Sequence, residues 1–147
     1  MIAALENSIA DFIGSIALEG DPAVHAGLPA GVETFPRVIV SVTSISKTFS
    51  DGHAWVVNVA VTLQTQMDGT NAQQDGGQFA DTYGKHVTNT EAIVEVISDD
   101  PIGLATAISS ATFRVDSASF DSAAKSVDEK RGLFVSVFDL DLKGQKI

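Results

Sequence analysis

The hydrophobic positions of the chain change their spacing several times, and each change predicts a new element of secondary structure. At the start, apolar side chains recur at three- and four-residue steps, which places them on one side of a helix. These positions are Ile2, Leu5, Ile9, Phe12 or Ile13, and Ile16. The same stretch contains Glu6, Asp11 and Glu19 and no basic residue, so we interpret it as a helix of the mature protein and not as a signal peptide.

A connector and a long hairpin are predicted to follow. Residues 19–36 contain three of the four prolines and three glycines, which indicates an irregular connector without a second element. From Arg37 the spacing changes to two, the period of a strand that buries one face. The alternating apolar residues are Val38, Val40 and Val42, and then Trp55, Val57, Val59, Val61 and Leu63. Asp51-Gly52 between the two runs is typical of a tight hairpin turn.

The turn also predicts a register for this hairpin. If Asp51 and Gly52 are the two turn residues, opposing residues have numbers that add up to 103. The predicted pairs are Val42 with Val61, Val40 with Leu63, and Ser44 with Val59. Both apolar sets then lie on the same face of the sheet, whereas a slip of one residue would separate them. Each strand would have about ten residues, against a usual five or six.

The second half of the chain predicts two helical segments and two more strands. Residues 64–78 are rich in Gln, Asn and Gly and indicate a mobile loop. A helical stripe then runs through Phe79, Tyr83, Val87, Thr90, Val94 and Ile97, with Ile93 beside it. The helix ends at Asp99-Asp100-Pro101, because the residue before a proline disfavours the helical region, and Ile102 to Ile108 follow as a short helical turn. Strands are predicted at about 111–117 and 133–142, separated by a polar connector at about 121–131.

These elements predict an α+β fold in the order helix, strand, strand, helix, strand, strand. The sheet is expected to have four mostly antiparallel strands, with the helices packed on one face. The length of 147 residues is that of one domain, and we expect residues 1–147 to form it. No other stretch approaches the roughly 18 apolar residues that span a bilayer, so we expect a soluble protein without a membrane partner.

Composition excludes several classes of protein. Hydrophobic residues make up 44% of the chain, which is outside the range of disordered proteins. Because there is no cysteine, disulfides, thiolate zinc sites and cysteine nucleophiles are excluded. The net charge of −10 disfavours a surface that grips nucleic acid.

The charges are also unevenly distributed. Residues 1–36 hold five acids and no base, whereas 125–147 hold five of the nine bases beside four acids. Such a polarity could align identical subunits head to tail, or it could reflect uneven solvation of a monomer.

Motifs for catalysis are scarce. The chain contains no phosphate-binding loop, no dinucleotide-binding glycine motif, no GxSxG and no HExxH. His25, His53 and His86 are not spaced as metal ligands. Asp139 and Asp141 would lie on one face of a strand, and we interpret that face as acidic and solvated in preference to a site, because the apolar residues of the strand occupy its other face. No metal, cofactor or catalytic residue is therefore assigned.

The sequence resembles the tail terminator, or tail completion, proteins of long-tailed bacteriophages. The resemblance covers nearly the whole chain and rests on the order and length of its elements: the N-terminal helix, a hairpin from FPRVIVSVTSIS to HAWVVNVAVTLQTQ, a helix at FADTYGKHVTNTEAIVEVI, a break before LATAIS, and strands at ATFRVDSAS and GLFVSVFDLDL.

The resemblance implies a structural role and no enzymatic activity. Proteins of this family form a ring, commonly a homohexamer, that caps the tail tube, stops its growth and joins it to the head. The implied partners are the tail tube protein, a neck or connector protein, and DNA that passes through without specific binding. The implied location is the head–tail junction of the virion, after assembly in the host cytoplasm.

The contact regions can only be nominated from their position in the chain. Gln64, Gln66, Asp68 and Gln74 are candidates for contact with the tube or the lumen. Phe49, Asp51 and His53, at the hairpin tip, are candidates for contact between subunits. Two alternatives stay open: a neck or head-completion adaptor, and a small α+β enzyme or ligand-binding domain that uses Asp139, Asp141 or His86.

Overall fold

The computed structural model describes residues 1–29, 34–47, 54–67 and 76–147, with the backbone alone for 76–80. The fold is α+β, with three helices and five strands in the described part of the chain. The elements are α1 Ile2–Gly14, β1 Ala23–Ala26, β2 Arg37–Lys47, β3 Ala54–Gln66, α2 Gly76–Asp99, α3 Pro101–Ile108, β4 Phe113–Asp128 and β5 Leu133–Lys146. No helix among these residues has the length and apolar character that crossing a membrane requires.

The strands form one mixed sheet in the order β1-β2-β3-β5-β4. β1 runs parallel to β2, and the other neighbouring strands are antiparallel. The prediction of four strands was therefore wrong, because β1 lies inside the predicted irregular connector. Its four residues, which stand between a proline and a glycine, are too few to show a period. It is held by hydrogen bonds from Ala23 N to Pro36 O, 3.3 Å, and from Gly27 N to Val40 O, 2.7 Å.

The predicted faces of the β2–β3 hairpin are confirmed, but its predicted register is wrong. Val40 pairs with Val61 and Val38 with Leu63, which is two residues away from the prediction. A shift of two keeps every side chain on its face, and these four residues are all buried. Near the hairpin tip, Lys47 pairs with Trp55, which is one residue away from the prediction, and a bulge between Val42 and Ser44 adds the second residue of the shift. Asp51 and Gly52 lie outside the described residues.

Helix α2 was predicted at the correct place, and Ile93 and Ile97 of its predicted apolar stripe are buried, but the first half of the helix turns a different face toward the sheet. Its buried residues are His86, Asn89, Ile93 and Ile97, whereas Tyr83 of the predicted stripe is 37% exposed. The first half of the helix is rotated relative to the prediction because the polar side chains of His86 and Asn89 are buried there. Their burial is possible because both have hydrogen-bond partners in the interior, which a hydrophobic pattern does not reveal.

The β4–β5 hairpin is much longer than predicted. The polar stretch from Asp121 to Asp128 belongs to β4, and only four residues separate it from β5. It was interpreted as a connector because all its residues from Asp121 to Val127 are exposed and show no alternation. β5 provides a backbone partner for each residue from Ser122 to Asp128, which is sufficient for a strand at the edge of a sheet.

Buried side chains of the three helices and of one sheet face form a single core. Its largest fully buried members include Leu5, Ile9, Ile13, Leu63, Ile93, Ile97, Ile108, Phe113, Phe138, Leu140 and Leu142. On the opposite face, which we call the open face, Asp139 is exposed between the buried Phe138 and Leu140. The predicted helical turn is α3, and the Asp100 carboxylate caps it by accepting a hydrogen bond from Gly103 N at 3.0 Å.

Candidate functional site

The N-terminal half of α2 is attached to the sheet through polar side chains. The imidazole of His86 lies between two strands, with Nδ1 2.7 Å from Thr65 Oγ1 of β3 and Nε2 2.8 Å from Ser136 Oγ of β5. Ser136 Oγ is also 2.9 Å from Thr90 Oγ1, one turn further along α2. All buried polar side-chain atoms in the described part of the chain have a partner.

The directions of these hydrogen bonds follow from one fixed donor. Thr90 Oγ1 donates its only proton to the carbonyl oxygen of His86, at 2.8 Å. Thr90 therefore accepts from Ser136, and the Ser136 oxygen accepts from Nε2–H of His86. Nδ1 carries no proton and accepts from Thr65. This arrangement selects one neutral tautomer of the imidazole.

The electrostatic surroundings favour the same neutral form. Burial of the imidazole, and secondarily the positive charge of Lys125, lower the pKa of His86 from 6.5 to about 4. A buried imidazolium would also lose the hydrogen bond that Nδ1 now accepts. His86 therefore stays uncharged at neutral pH.

The Ser136–His86 pair does not have the geometry of a nucleophile and its general base. A base must accept the proton of the serine hydroxyl, whereas here Nε2–H donates to Ser136. His86 and Ser136 are both 0% exposed, so a substrate does not reach them. In the described structure this network anchors α2.

Asp139 and Asp141 lie on the other side of the sheet from His86. Asp139 is three residues from Ser136 along an uninterrupted strand, so the two side chains project from opposite faces. The three residues considered for an enzyme or ligand site are thus not brought together. No group of three His, Asp or Glu that could hold a metal exists among the described residues.

A cavity of about 500 Å³ opens where α2, the end of β3 and the 19–36 connector meet. Its lining includes Glu19, Phe35, Gln66, Lys85 and Asn89. The side-chain amide of Asn89 makes two hydrogen bonds to the backbone of Glu19: Glu19 N donates to Oδ1 at 2.7 Å, and Nδ2 donates to Glu19 O at 2.9 Å. Helix and connector are joined there, and the cavity lies beside the joint.

The nominated contact residues fall partly inside the described structure. Gln64 and Gln66 belong to β3 and not to the predicted loop. Gln66 is exposed and borders the cavity, whereas Gln64 accepts a hydrogen bond from Arg37 Nε at 2.6 Å. Asp68, Gln74, Phe49, Asp51 and His53 lie outside the described residues.

The most unusual surface of the described structure is the outer strand β4. From Ser122 to Val127 every residue is exposed, and a groove of about 240 Å³ separates the strand from α2. Lys125 bends over this groove: its ammonium lies 4.6 Å from the ring centroid of Tyr83 and donates to the Tyr83 hydroxyl. The sequence could not indicate this edge, because an exposed strand of small polar residues resembles a loop.

Comparison of the sequence with models of known protein families and with curated proteins finds no match.

Proposed function

We propose that this protein is a structural component of a phage virion: a ring of identical subunits that caps the tail tube, ends its polymerisation and joins it to the head. The observation that carries the proposal is the series of elements on which the resemblance rests. The long hairpin β2–β3, helix α2, the break at Asp100-Pro101, α3 and the closing pair β4–β5 follow one another in that order.

The arrangement of layers supports the same proposal. The described helices cover one face of the sheet, so the open face and the edges of the sheet remain at the surface. A ring subunit needs such surfaces, because it contacts two neighbours, the tube below it and the head connector above it. The polar network around His86, by contrast, has its function inside the subunit.

An acidic lumen is part of the proposal. A wall of net negative charge would let DNA slide through without adhering, whereas a basic wall would retain it. The bases that would contradict this if they lined the lumen have contacts within their own subunit. Arg37 bonds to Gln64, Arg114 Nε lies 2.9 Å from Asp116, and Lys125 lies over Tyr83.

Light scattering and a tube-assembly assay test the proposal together. The purified protein is mixed with the tail tube protein encoded in the same genome, and tube length is measured by electron microscopy. We expect a ring that binds tube ends and stops their growth. A ring that binds the portal but not the tube would assign it to the neck, and a monomer without effect on tubes would contradict a ring protein.

A further inference from the structure

The two outer strands of the sheet, β1 and β4, have complementary positions. In the described structure no strand pairs with the outer side of either one. Backbone N–H and C=O groups along such an edge are a template for pairing with another chain. β4 runs opposite to β5, β5 opposite to β3, and β3 opposite to β2, so β4 runs opposite to β1.

The two edges also lie at the same height of the sheet. Following the register from strand to strand, Ala23 shares a row with Ser126, through Arg37, Gln64 and Val135. Ala26 shares a row with Ala123 by way of Val40, Val61 and Phe138. A second copy placed beside the first therefore brings Ala23–Ala26 against residues 123–126, antiparallel and over four rows.

The outward hydrogen-bonding groups of the two edges match. Because Ala23 N and Gly27 N bond to β2, the groups of Val24 and Ala26 point outward. Met67 N bonds to Gly132 O, so even-numbered residues of β5 face β3 and odd-numbered ones face β4.

The register between β5 and β4 then shows which backbone groups of β4 point outward. Ser122, Ala124, Ser126 and Asp128 face β5, and the groups of Ala123, Lys125 and Val127 point outward. Val24 and Lys125 also lie on the same side of the sheet, the side that carries the helices. Backbone direction and side-chain face thus agree for one joined sheet.

β4 is protected against pairing in its first half but not in its second. Register shifts at Asp116 and Asp121 interrupt the ladder there, whereas Ser122–Asp128 pairs regularly with β5. A lysine on an edge normally discourages pairing, but the Lys125 ammonium is held over Tyr83. The regular segment Ser122–Asp128 is therefore open to a further strand.

Charge and apolar exposure favour the edge of a second copy as the occupant. Residues 19–29, around β1, carry Glu19 and Asp21 and no Lys or Arg, whereas 121–131 carry three acids and three bases. Pairing β4 with its own copy about a two-fold axis would instead bring the two Lys125 residues together. Each edge also presents an exposed apolar side chain, Leu28 at 87% and Val127 at 52%.

We propose that the regular segment Ser122–Asp128 of one subunit pairs with Ala23–Ala26 of the next, so that neighbouring subunits share one continuous sheet. This inference rests on the ring proposed above and names the contact that builds it. The contact is heterologous: β4 of each subunit pairs with β1 of one neighbour, and β1 of the same subunit pairs with β4 of the other neighbour. Repetition of this contact closes the ring.

Cysteine cross-linking tests this contact without background, because the chain has no cysteine. His25→Cys is combined in the same chain with Ser122→Cys, Ala124→Cys or Ser126→Cys, which gives three double variants that cover register shifts of two residues in either direction. His25 and Ala124 lie between the outward-bonding residues, where the strands of an antiparallel pair approach most closely. Ala123→Cys, whose side chain lies on the helix side, is the matched control.

We expect mild oxidation to join His25→Cys to one of the three partners and not to Ala123→Cys. The matching double variant should lose its monomer band to a covalent ladder, while each single variant alone stays uncrosslinked. Cross-linking of a β4 single variant to itself would overturn the inference in favour of a two-fold contact. Its failure with all three partners would also overturn it.

The proposed function is tested separately in the same experiment. A ring seen by light scattering that shows none of these cross-links overturns the edge contact and leaves the terminator proposal standing. A covalent ladder in a protein that does not stop tube growth supports the edge contact and contradicts the terminator. A chain that stays monomeric and uncrosslinked contradicts both.

Discussion

Nε2–H of His86 donates a hydrogen bond to Ser136 Oγ at 2.8 Å, between two side chains that are both completely buried. The Ser136 hydroxyl in turn donates to Thr90 Oγ1, because the proton of Thr90 is already donated to the His86 carbonyl oxygen. A side chain that cannot accept from His86 therefore disturbs the whole network. The N-terminal half of α2 is thus attached to the sheet by hydrogen bonds, whereas its C-terminal half is held by packing in the hydrophobic core.

Ser136→Ala is expected to lower the free energy of unfolding by about 1–3 kcal/mol, because Nε2–H of His86 would be buried without an acceptor. The control is Ser98→Ala, which removes an exposed hydroxyl bonded to Val94 O on the same helix. It should change stability by no more than about 0.5 kcal/mol. Urea unfolding followed by circular dichroism measures both, and equal effects would contradict the role of the network.

Stability is expected to fall as the pH decreases from 6.5 to 4. The folded pKa of His86 is about 4, so the unfolded chain binds the proton first and each step down in pH favours unfolding. The contribution of this residue is up to about 3 kcal/mol at neutral pH and is lost across that interval. His86→Gln should flatten the curve of unfolding free energy against pH between those limits. Parallel curves for the two proteins would contradict it.

Asn89→Ala is expected to release the connector from α2. Both bonds of the amide go to the backbone of Glu19, so the exchange protection of the Glu19 amide hydrogen should fall about tenfold, as for one lost hydrogen bond. Glu19→Gln is the matched control, because it keeps the backbone groups and should keep the protection. Hydrogen exchange measured by NMR distinguishes the two. Loss of protection in both variants would assign the effect to the side chain of Glu19.

Two glycines are expected to respond oppositely to alanine. A Cβ at Gly144 would overlap the Arg114 carbonyl oxygen and lie 2.7 Å from Cε1 of the buried Phe113, so Gly144→Ala should destabilise by about 1–3 kcal/mol. Gly84, on an exposed part of α2, has nothing within 4 Å of such a Cβ, and Gly84→Ala should stabilise by about 1 kcal/mol. Thermal unfolding measures the stability of both variants. An unchanged stability of Gly144→Ala would contradict the prediction and show that β4 moves to accommodate the added Cβ.

The sequence predicts the elements whose burial follows a period and misses those whose position depends on a distant partner. Val57, Val59 and Val61 were assigned to the buried face because alternation alone indicates it. β1 was missed because it is held by hydrogen bonds to Pro36 and Val40, which are distant from it in the sequence. A local pattern of residues does not reveal such partners.

The candidate site shows the same limit. His86 was treated as an isolated histidine, because Thr65 and Ser136 are 21 and 50 residues away in the chain and adjacent only in the fold. The second half of β4 was taken for a connector, since an edge strand exposed on both faces carries no hydrophobic alternation.

The place of β5 between β3 and β4 also sets the order in which the protein can be completed during synthesis. β5 leaves the ribosome after the other four strands, yet its residues pair with β3 on one side and with β4 on the other. Until β5 is present and Trp55 can pair with Gly144, the edge of β3 that faces away from β2 has no partner strand. The core also lacks the buried side chains of β5. A nascent chain therefore cannot complete this sheet until β5 is inserted between β3 and β4.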